Sequence, residues 1–115
     1  MNPQFKKGVL DLIVLMIVSK DDIYGYELVK QVCEVVDVNE GTIYPLLKRM
    51  THDYYFETYL KESTEGPPRK YYHITEKGKE AMDQLKGDWL FFSSKINNYI
   101  EGEKTNDPSI SAHRN

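Results

Sequence analysis

The sequence predicts a mainly helical fold with one small β-hairpin. Along most of the 115 residues, apolar side chains recur at spacings of three and four, which is typical of one buried face of an α-helix. Only residues 56–74 alternate in the manner of strands, with turn-forming residues in the middle. The composition, 40% hydrophobic and 29% charged with a single cysteine, fits one globular domain without an intrachain disulfide.

The first helix is predicted to begin at Pro3 or Phe5 and to end near Ser19. Residues 9–18 are apolar except for Asp11, a run too short to span a bilayer, so no membrane segment is expected. A helix that is apolar on nearly every side must be covered on more than one side, by its own domain or by a second subunit. The N-terminus lacks the pattern of a signal peptide, which predicts a cytoplasmic protein.

Two further helices are predicted with a turn of about three residues between them, as in a helix-turn-helix. The second begins after Ile23 and ends near Val36. The third begins at Asn39, whose side chain can cap the helix, and Glu40 in its first turn suits the helix dipole. Its apolar stripe consists of Ile43, Leu46, Leu47 and Met50. Pro45 leaves two possibilities: a late helix start capped by Thr42, or a kink.

The exposed side of the third helix carries Thr42, Tyr44, Lys48 and Arg49. Hydroxyl groups near the helix start can meet base edges or phosphates, and the two cations can neutralise the DNA backbone. The alternative is an ordinary amphipathic helix with a solvated basic face. The net charge of −3 weighs against DNA binding, and residues 1–75 hold nine Lys/Arg against eleven Asp/Glu. Any DNA-binding surface therefore requires charge segregation.

A two-stranded ribbon is predicted after the third helix, from residues 56–62 and 69–74, with a loop at 63–68. This position is that of the wing in a winged helix-turn-helix. Arg69 and Lys70 at its tip suit phosphate or minor-groove contact, although a solvated basic tip is the common alternative. Lys6 and Lys7 are expected to touch the DNA backbone from the flank.

A long final helix is predicted from Glu76 to about Ile100, capped by Thr75 and roughly 38 Å long at ~1.5 Å per residue. A heptad-like seam is formed by Met82, Leu85, Trp89, Phe92, Ile96 and Tyr99. It predicts a dimerisation helix, and the alternative is a helix folded back on its own domain. The predicted organisation is a DNA-binding domain at 1–75, a dimerisation helix at 76–101 and a flexible tail at 102–115.

The chain resembles the PadR family of bacterial transcriptional regulators over about residues 5–92. The matching segments are Gly8-Val9-Leu10-Asp11-Leu12, Tyr24-Gly25-Tyr26-Glu27-Leu28, Glu40-Gly41-Thr42-Ile43-Tyr44-Pro45-Leu46-Leu47-Lys48-Arg49-Met50, Gly66-Pro67-Pro68-Arg69-Lys70-Tyr71-Tyr72, Ile74-Thr75-Glu76-Lys77-Gly78 and Trp89. The resemblance implies a winged helix-turn-helix, a homodimer joined through the C-terminal helix, and binding to a palindromic operator, usually as a repressor. In some members an aromatic or cationic ligand enters the dimer interface, releases DNA and stacks on the tryptophan that corresponds to Trp89, so the resemblance implies an effector site at Trp89 and Phe92.

One residue departs from the family pattern. Tyr54 stands where the family usually has glycine, at the turn between the third helix and the first long strand. Such a turn often needs positive φ, which glycine adopts cheaply and tyrosine does not. The sequence therefore predicts either a different turn or a strained Tyr54.

No enzyme, cofactor or metal site is predicted. His52, His73 and His113 have no metal-ligand spacing with each other or with Cys33, and no glycine-rich phosphate loop is present. Two alternatives to a DNA-binding regulator remain. One is a winged-helix protein-interaction module that lost its DNA-binding surface, and the other is a small-molecule sensor in which Trp89 matters more than the wing.

Overall fold

The computed structural model describes the backbone of residues 3–104 and the side chains of residues 8–103. The elements in chain order are α1 (Pro3–Lys20), β1 (Ile23–Tyr24), α2 (Gly25–Val35), α3 (Glu40–His52), β2 (Phe56–Lys61), β3 (Arg69–Ile74) and α4 (Glu76–Lys104). The predicted class is confirmed: a mainly helical chain with a small antiparallel sheet and a long C-terminal helix. Two compact units divide the chain, residues 1–85 and residues 86–115.

The helix starts follow local capping chemistry. Asn39 caps α3, because its Oδ1 accepts a hydrogen bond of 2.8 Å from the backbone N–H of Gly41. The helix begins at Glu40 and contains Pro45, so the alternative of a late start at Thr42 is not adopted. Helix α4 ends at Lys104, a little beyond the predicted boundary, and residues 105–115 of the predicted tail lie outside the described residues.

The core of the first unit covers α1 without a second chain. Apolar side chains from all the helices and from β2 and β3 form one cluster. Its buried members are Leu10, Val14, Leu15, Val18, Leu28, Val29, Val32, Ile43, Leu46, Leu47, Met50, Phe56, Tyr72 and Ile74. Ile13 and Ile17 are partly buried against this cluster. Of the two possibilities for covering α1, the domain itself provides most of the cover.

The sheet has three strands in the order β1-β3-β2, and the sequence predicted only two of them. Ile23 pairs with Tyr72 and Tyr24 pairs with Tyr71, both antiparallel. A two-residue strand carries no periodicity, and it exists because β3 offers an edge to pair with. The wing is defined here as β2, β3 and the loop between them.

The outer face of the sheet is tied together by aromatic rings and one carboxylate. Tyr59 stacks on Tyr71 with ring centroids 5.7 Å apart, and Tyr24 lies 6.1 Å beyond Tyr71. Asp22, just before β1, accepts a hydrogen bond of 2.7 Å from the Tyr59 hydroxyl and lies 2.7 Å from Nδ1 of His73. These contacts connect all three strands, and an isolated hairpin in water needs such support.

A Schellman turn ends α3 and begins the wing. The N–H of Tyr55 donates to the carbonyl of Met50, and the N–H of Tyr54 donates to that of Thr51, both at 3.0 Å. Tyr54 occupies the position in this motif that favours glycine, and its φ is 65°. Of the two outcomes predicted for this turn, the strained tyrosine is the one observed.

The N-terminus of α4 is bonded to the same turn. Thr75 caps α4, accepting a hydrogen bond of 3.0 Å from the N–H of Gly78, and its hydroxyl lies 2.6 Å from the carbonyl oxygen of Tyr54. A Cβ atom added to Gly78 would lie 2.3 Å from the carbonyl oxygen of Tyr55. Glycine is therefore required here for the close approach of helix and turn.

The second unit, residues 86–115, is described up to Lys104 and is helical over that part. The rings of Trp89 and Phe92 lie 6.4 Å apart, and Nζ of Lys95 lies 4.6 Å from the ring centre of Phe91. Large apolar side chains are exposed in the single chain at Trp89, Leu90, Phe91, Phe92, Ile96, Tyr99 and Ile100.

Candidate nucleic-acid interface

Helix α3 separates a buried face from an exposed one, as its periodicity predicted. Its four apolar side chains are buried, with Ile43 and Met50 fully inaccessible. Tyr44 and Lys48 are both exposed, and their spacing of four residues places them on the same side of the helix. Thr42 is exposed in the first turn. The helix thus presents a hydroxyl near its start and a phenol and a cation along one side.

Tyr72 on β3 joins the wing to the core. Nζ of Lys70 lies 5.8 Å from the ring centre of Tyr72, which packs edge-on to Phe56 in the core. Burial raises the pKa of the Tyr72 hydroxyl, and the nearby Tyr44 raises that pKa further. Tyr72 thus lies beside Lys70 on the same face of β3, and its pKa responds to Tyr44 of α3.

Arg69 and Lys70 point to opposite faces of the wing, because side chains alternate along a strand. Arg69 lies on the outer face, where its guanidinium is 4.8 Å from the ring centre of Tyr24 and 3.7 Å from the carboxylate of Glu65. The two cations therefore do not form one basic tip. Lys70 lies on the same face as Tyr72, and Arg69 is held on the other.

Arg49 is engaged within the domain. Its Nη2 lies 2.7 Å from Oδ1 and 2.9 Å from Oδ2 of Asp11 on α1, and its Nη1 lies 3.7 Å from the carboxylate of Asp53. Over residues 8–103 no ion pair is found for Lys48 or Lys70. A phosphate role for Arg49 stays a prediction. Lys6 and Lys7 lie outside the residues whose side chains are described.

Several acidic side chains of this acidic protein are paired with neighbouring cationic or hydrogen-bonding groups. Asp11 and Asp53 face Arg49, Glu65 faces Arg69, and Asp22 faces His73. Hydrogen bonds from Tyr59 and from His73 lower the pKa of the Asp22 carboxyl. Such internal pairing is one way in which a chain with a net charge of −3 segregates its charges.

Sequence reasoning missed the role of Asp11. The signal was present, because Asp11 is the only charged residue in the apolar run of residues 9–18. A carboxylate in such a run needs a partner, since an unpaired buried charge is costly. The identity of that partner, 38 residues away, required the tertiary structure.

The predicted dimer seam divides at the boundary between the two units. Met82 and Leu85 are partly buried against the core of the first unit. The remaining members of the seam are exposed in the single chain: Trp89, Phe92, Ile96 and Tyr99. Within the described residues no helix is long and apolar enough to cross a membrane, and no group of three His, Cys, Asp or Glu side chains is placed to hold a metal ion.

The family model of PadR-like transcriptional regulators matches residues 14–84, more than half of the sequence. The chain belongs to the PadR-like family. Its matched region runs from the middle of α1 to the first turns of α4 and includes α3 and the wing. Membership of this family identifies the chain as a DNA-binding transcriptional regulator with a winged helix.

Solved structures of other transcriptional regulators agree with this assignment. A PadR-like regulator from Bacillus cereus is 44% identical, with 84% of this chain and 96% of that chain covered and a TM-score of 0.75. A Streptococcus transcriptional regulator is 33% identical over 85% of this chain and 98% of that one, with a TM-score of 0.77. A PadR family regulator from Clostridium difficile is 35% identical over 79% and 97%, with a TM-score of 0.71.

Proposed function

We propose that this PadR-like chain is a cytoplasmic, homodimeric repressor that binds a palindromic operator and responds to a small aromatic ligand. The observation that supports the DNA-binding part is the exposed side of α3, where Tyr44 and Lys48 lie four residues apart and away from a fully buried apolar stripe. Lys70 of the wing is exposed as well, and helix and wing are proposed to contact one duplex together. Lys48, one turn beyond Tyr44 on the same side of α3, extends this surface.

In this proposal α3 enters the major groove. Thr42 and Tyr44 contact base edges or phosphates near the start of the helix, and Lys48 and Lys70 neutralise phosphates. Lys6, Lys7 and Arg69 are proposed as flanking phosphate contacts. In a two-fold symmetric dimer the two α3 helices meet successive major grooves roughly 34 Å apart, so the operator is palindromic with half-sites about one helical turn apart.

The test begins with selection of protein-bound fragments from the host genome. Affinity for an enriched duplex is then measured against salt concentration. Lys48→Gln should reduce the slope of log affinity against log salt by about 0.9 per subunit, because one phosphate contact is lost. Lys86→Gln removes the same charge from an exposed position on α4 and serves as the matched control, with an unchanged slope expected.

An unchanged slope in Lys48→Gln would remove this residue from the interface. If the dimeric protein enriches no fragment over scrambled DNA at low salt, DNA binding itself is refuted. That result would favour the alternative of a winged-helix protein-interaction module.

The homodimer is proposed to form through α4. The exposed side chains at Trp89, Phe92, Ile96 and Tyr99 follow spacings of three, four and three, as along a coiled-coil seam. Apolar patches of this kind on a soluble protein favour association. Ile96→Asp should give a monomer by light scattering, whereas Asn97→Asp adds the same charge beside the seam and should leave a dimer. A wild-type monomer, or an Ile96→Asp dimer of wild-type affinity, would contradict the proposal.

The ligand site is proposed at Trp89 and Phe92, whose rings lie 6.4 Å apart. Trp89 is the only tryptophan, so fluorescence reports this position alone. Titration with N-methylquinolinium, a planar aromatic cation, should give saturable quenching that is weakened in Phe92→Ala and kept in Tyr26→Ala, an exposed aromatic on α2. If the ratio of unquenched to quenched fluorescence rises linearly with concentration and does not saturate, as for free tryptophan, the quenching is collisional. That result would exclude the site.

A further inference from the structure

Asp11 of α1 and Arg49 of α3 form an ion pair between two helices whose buried side chains are apolar. The side chain of Asp11 is 14% exposed and that of Arg49 is 35% exposed. Leu10 and Leu12, the neighbours of Asp11 in the chain, are buried. One guanidinium nitrogen lies within hydrogen-bond distance of both carboxylate oxygens, at 2.7 and 2.9 Å, which gives two charge-assisted hydrogen bonds.

The pair constrains α3 in a way that its apolar face does not. The backbone of α3 packs closely against α2 and β2, through side chains whose attraction has no preferred direction. Arg49 adds a directional contact to a different helix, α1. Its second carboxylate neighbour, Asp53 at the end of α3, lies 3.7 Å away and limits the movement of the guanidinium.

We infer that Asp11 is a positioning residue for DNA binding, which acts by holding Arg49 and so fixes the rotation of α3 about its axis. The inference rests on the proposed function, in which Tyr44 and Lys48 are the groups presented to the duplex. Lys48 is adjacent to Arg49 in the chain, so its direction from the helix is set about 100° from that of Arg49. Any rotation of α3 away from α1 would turn Lys48 and Tyr44 by the same angle.

This role and a direct phosphate contact by Arg49 give opposite predictions for Asp11. If Arg49 binds phosphate, Asp11 competes with DNA for the guanidinium, and removing its charge should strengthen DNA binding. If Arg49 positions α3, removing the same charge should weaken binding to the specific sequence. The sign of the effect of Asp11→Asn therefore distinguishes the two roles.

The experiment compares Asp11→Asn, Arg49→Gln and the double variant on the duplex enriched from genomic fragments and on a scrambled duplex of equal length. Each single variant should weaken binding to the enriched duplex by about tenfold, and the double variant should be no weaker, because both changes break one pair. Binding to the scrambled duplex and the salt slope should stay at wild-type values. Asp21→Asn, the same change at an exposed position after α1, is the matched control and should behave as wild type.

A second variant distinguishes a loss of folding from a loss of DNA recognition. Asp11→Leu combined with Arg49→Met replaces the ion pair by apolar groups of similar size, a change that is often neutral for stability. The urea concentration at the unfolding midpoint of this double variant should equal or exceed that of wild type. Its affinity for the enriched duplex should nevertheless be about tenfold weaker, and its affinity for the scrambled duplex should be unchanged. A role in stability alone would not change the ratio of the two affinities.

Wild-type or tighter binding to the enriched duplex by Asp11→Asn would overturn the inference and leave the proposed function intact. So would a salt slope reduced by about one per subunit in Arg49→Gln, since that marks a lost phosphate contact. If the wild-type protein enriches no genomic fragment, the proposed function falls first, and the positioning role falls with it.

Discussion

Replacing Tyr54 by glycine should stabilise the protein, although tyrosine is the larger residue. Tyr54 has a φ of 65° in the turn that joins α3 to the wing, where a Cβ atom crowds the backbone. Its side chain is 73% exposed, so truncation removes little packing. Its backbone N–H and carbonyl groups, which bond Thr51 and Thr75, are kept in glycine.

The expected magnitude is a difference of two terms. Relief of the left-handed conformation contributes about 1–2 kcal/mol in favour of glycine. The extra freedom of glycine in the unfolded chain costs about 0.4–1 kcal/mol. The net stabilisation is therefore about 0–1.6 kcal/mol, with a midpoint of ~0.8 kcal/mol, which is a shift of a few degrees in Tm for a domain of this size.

The assay is urea unfolding at one fixed protein concentration, since stability of an associating chain depends on concentration. Tyr54→Ala is the control, because it removes the ring while keeping the Cβ atom, and it should stay within about 0.5 kcal/mol of wild type. Tyr54→Asn should lie between the two, since asparagine tolerates positive φ better than most residues. If Tyr54→Gly is no more stable than Tyr54→Ala, backbone strain at this turn is not the cause.

Two further predictions concern the packing of α4 and the outer face of the sheet. Gly78→Ala should destabilise the protein by more than about 2 kcal/mol in urea unfolding, because the added Cβ would clash with the backbone carbonyl of Tyr55. Gly87→Ala is the control: a Cβ atom there has open space around it, so the change should be neutral or stabilising. Equal effects at both glycines would contradict this. Hydrogen bonds from Tyr59 and His73 lower the folded-state pKa of Asp22 below its ordinary value of 3.8. The stability from Asp22 should therefore be complete above that value and be lost as the pH falls through the lower folded-state pKa, so Asp22→Asn should flatten the acid limb of a stability–pH curve.

Local chemistry made the helices and the wing predictable. Asn39 and Thr75 cap α3 and α4 through hydrogen bonds to residues two and three positions away, which the sequence alone can indicate. The buried stripe of α3 follows from the helical period. The opposite directions of Arg69 and Lys70 also follow from strand alternation, although the two were predicted to form one basic pair at the tip of the wing.

Contacts between distant segments were decided only by the tertiary structure. Strand β1 has two residues and no pattern of its own, and it forms because β3 lies beside it. The helical wheel predicts Arg49 as a DNA contact, and the fold adds a carboxylate neighbour that the wheel does not show, Asp11 of α1 at 2.7 Å. Helical period and capping act over a few residues, so the sequence determined the helices and the two longer strands. Ion pairs and strand edges join residues far apart in the chain, so the fold decided which charges remain available for a partner.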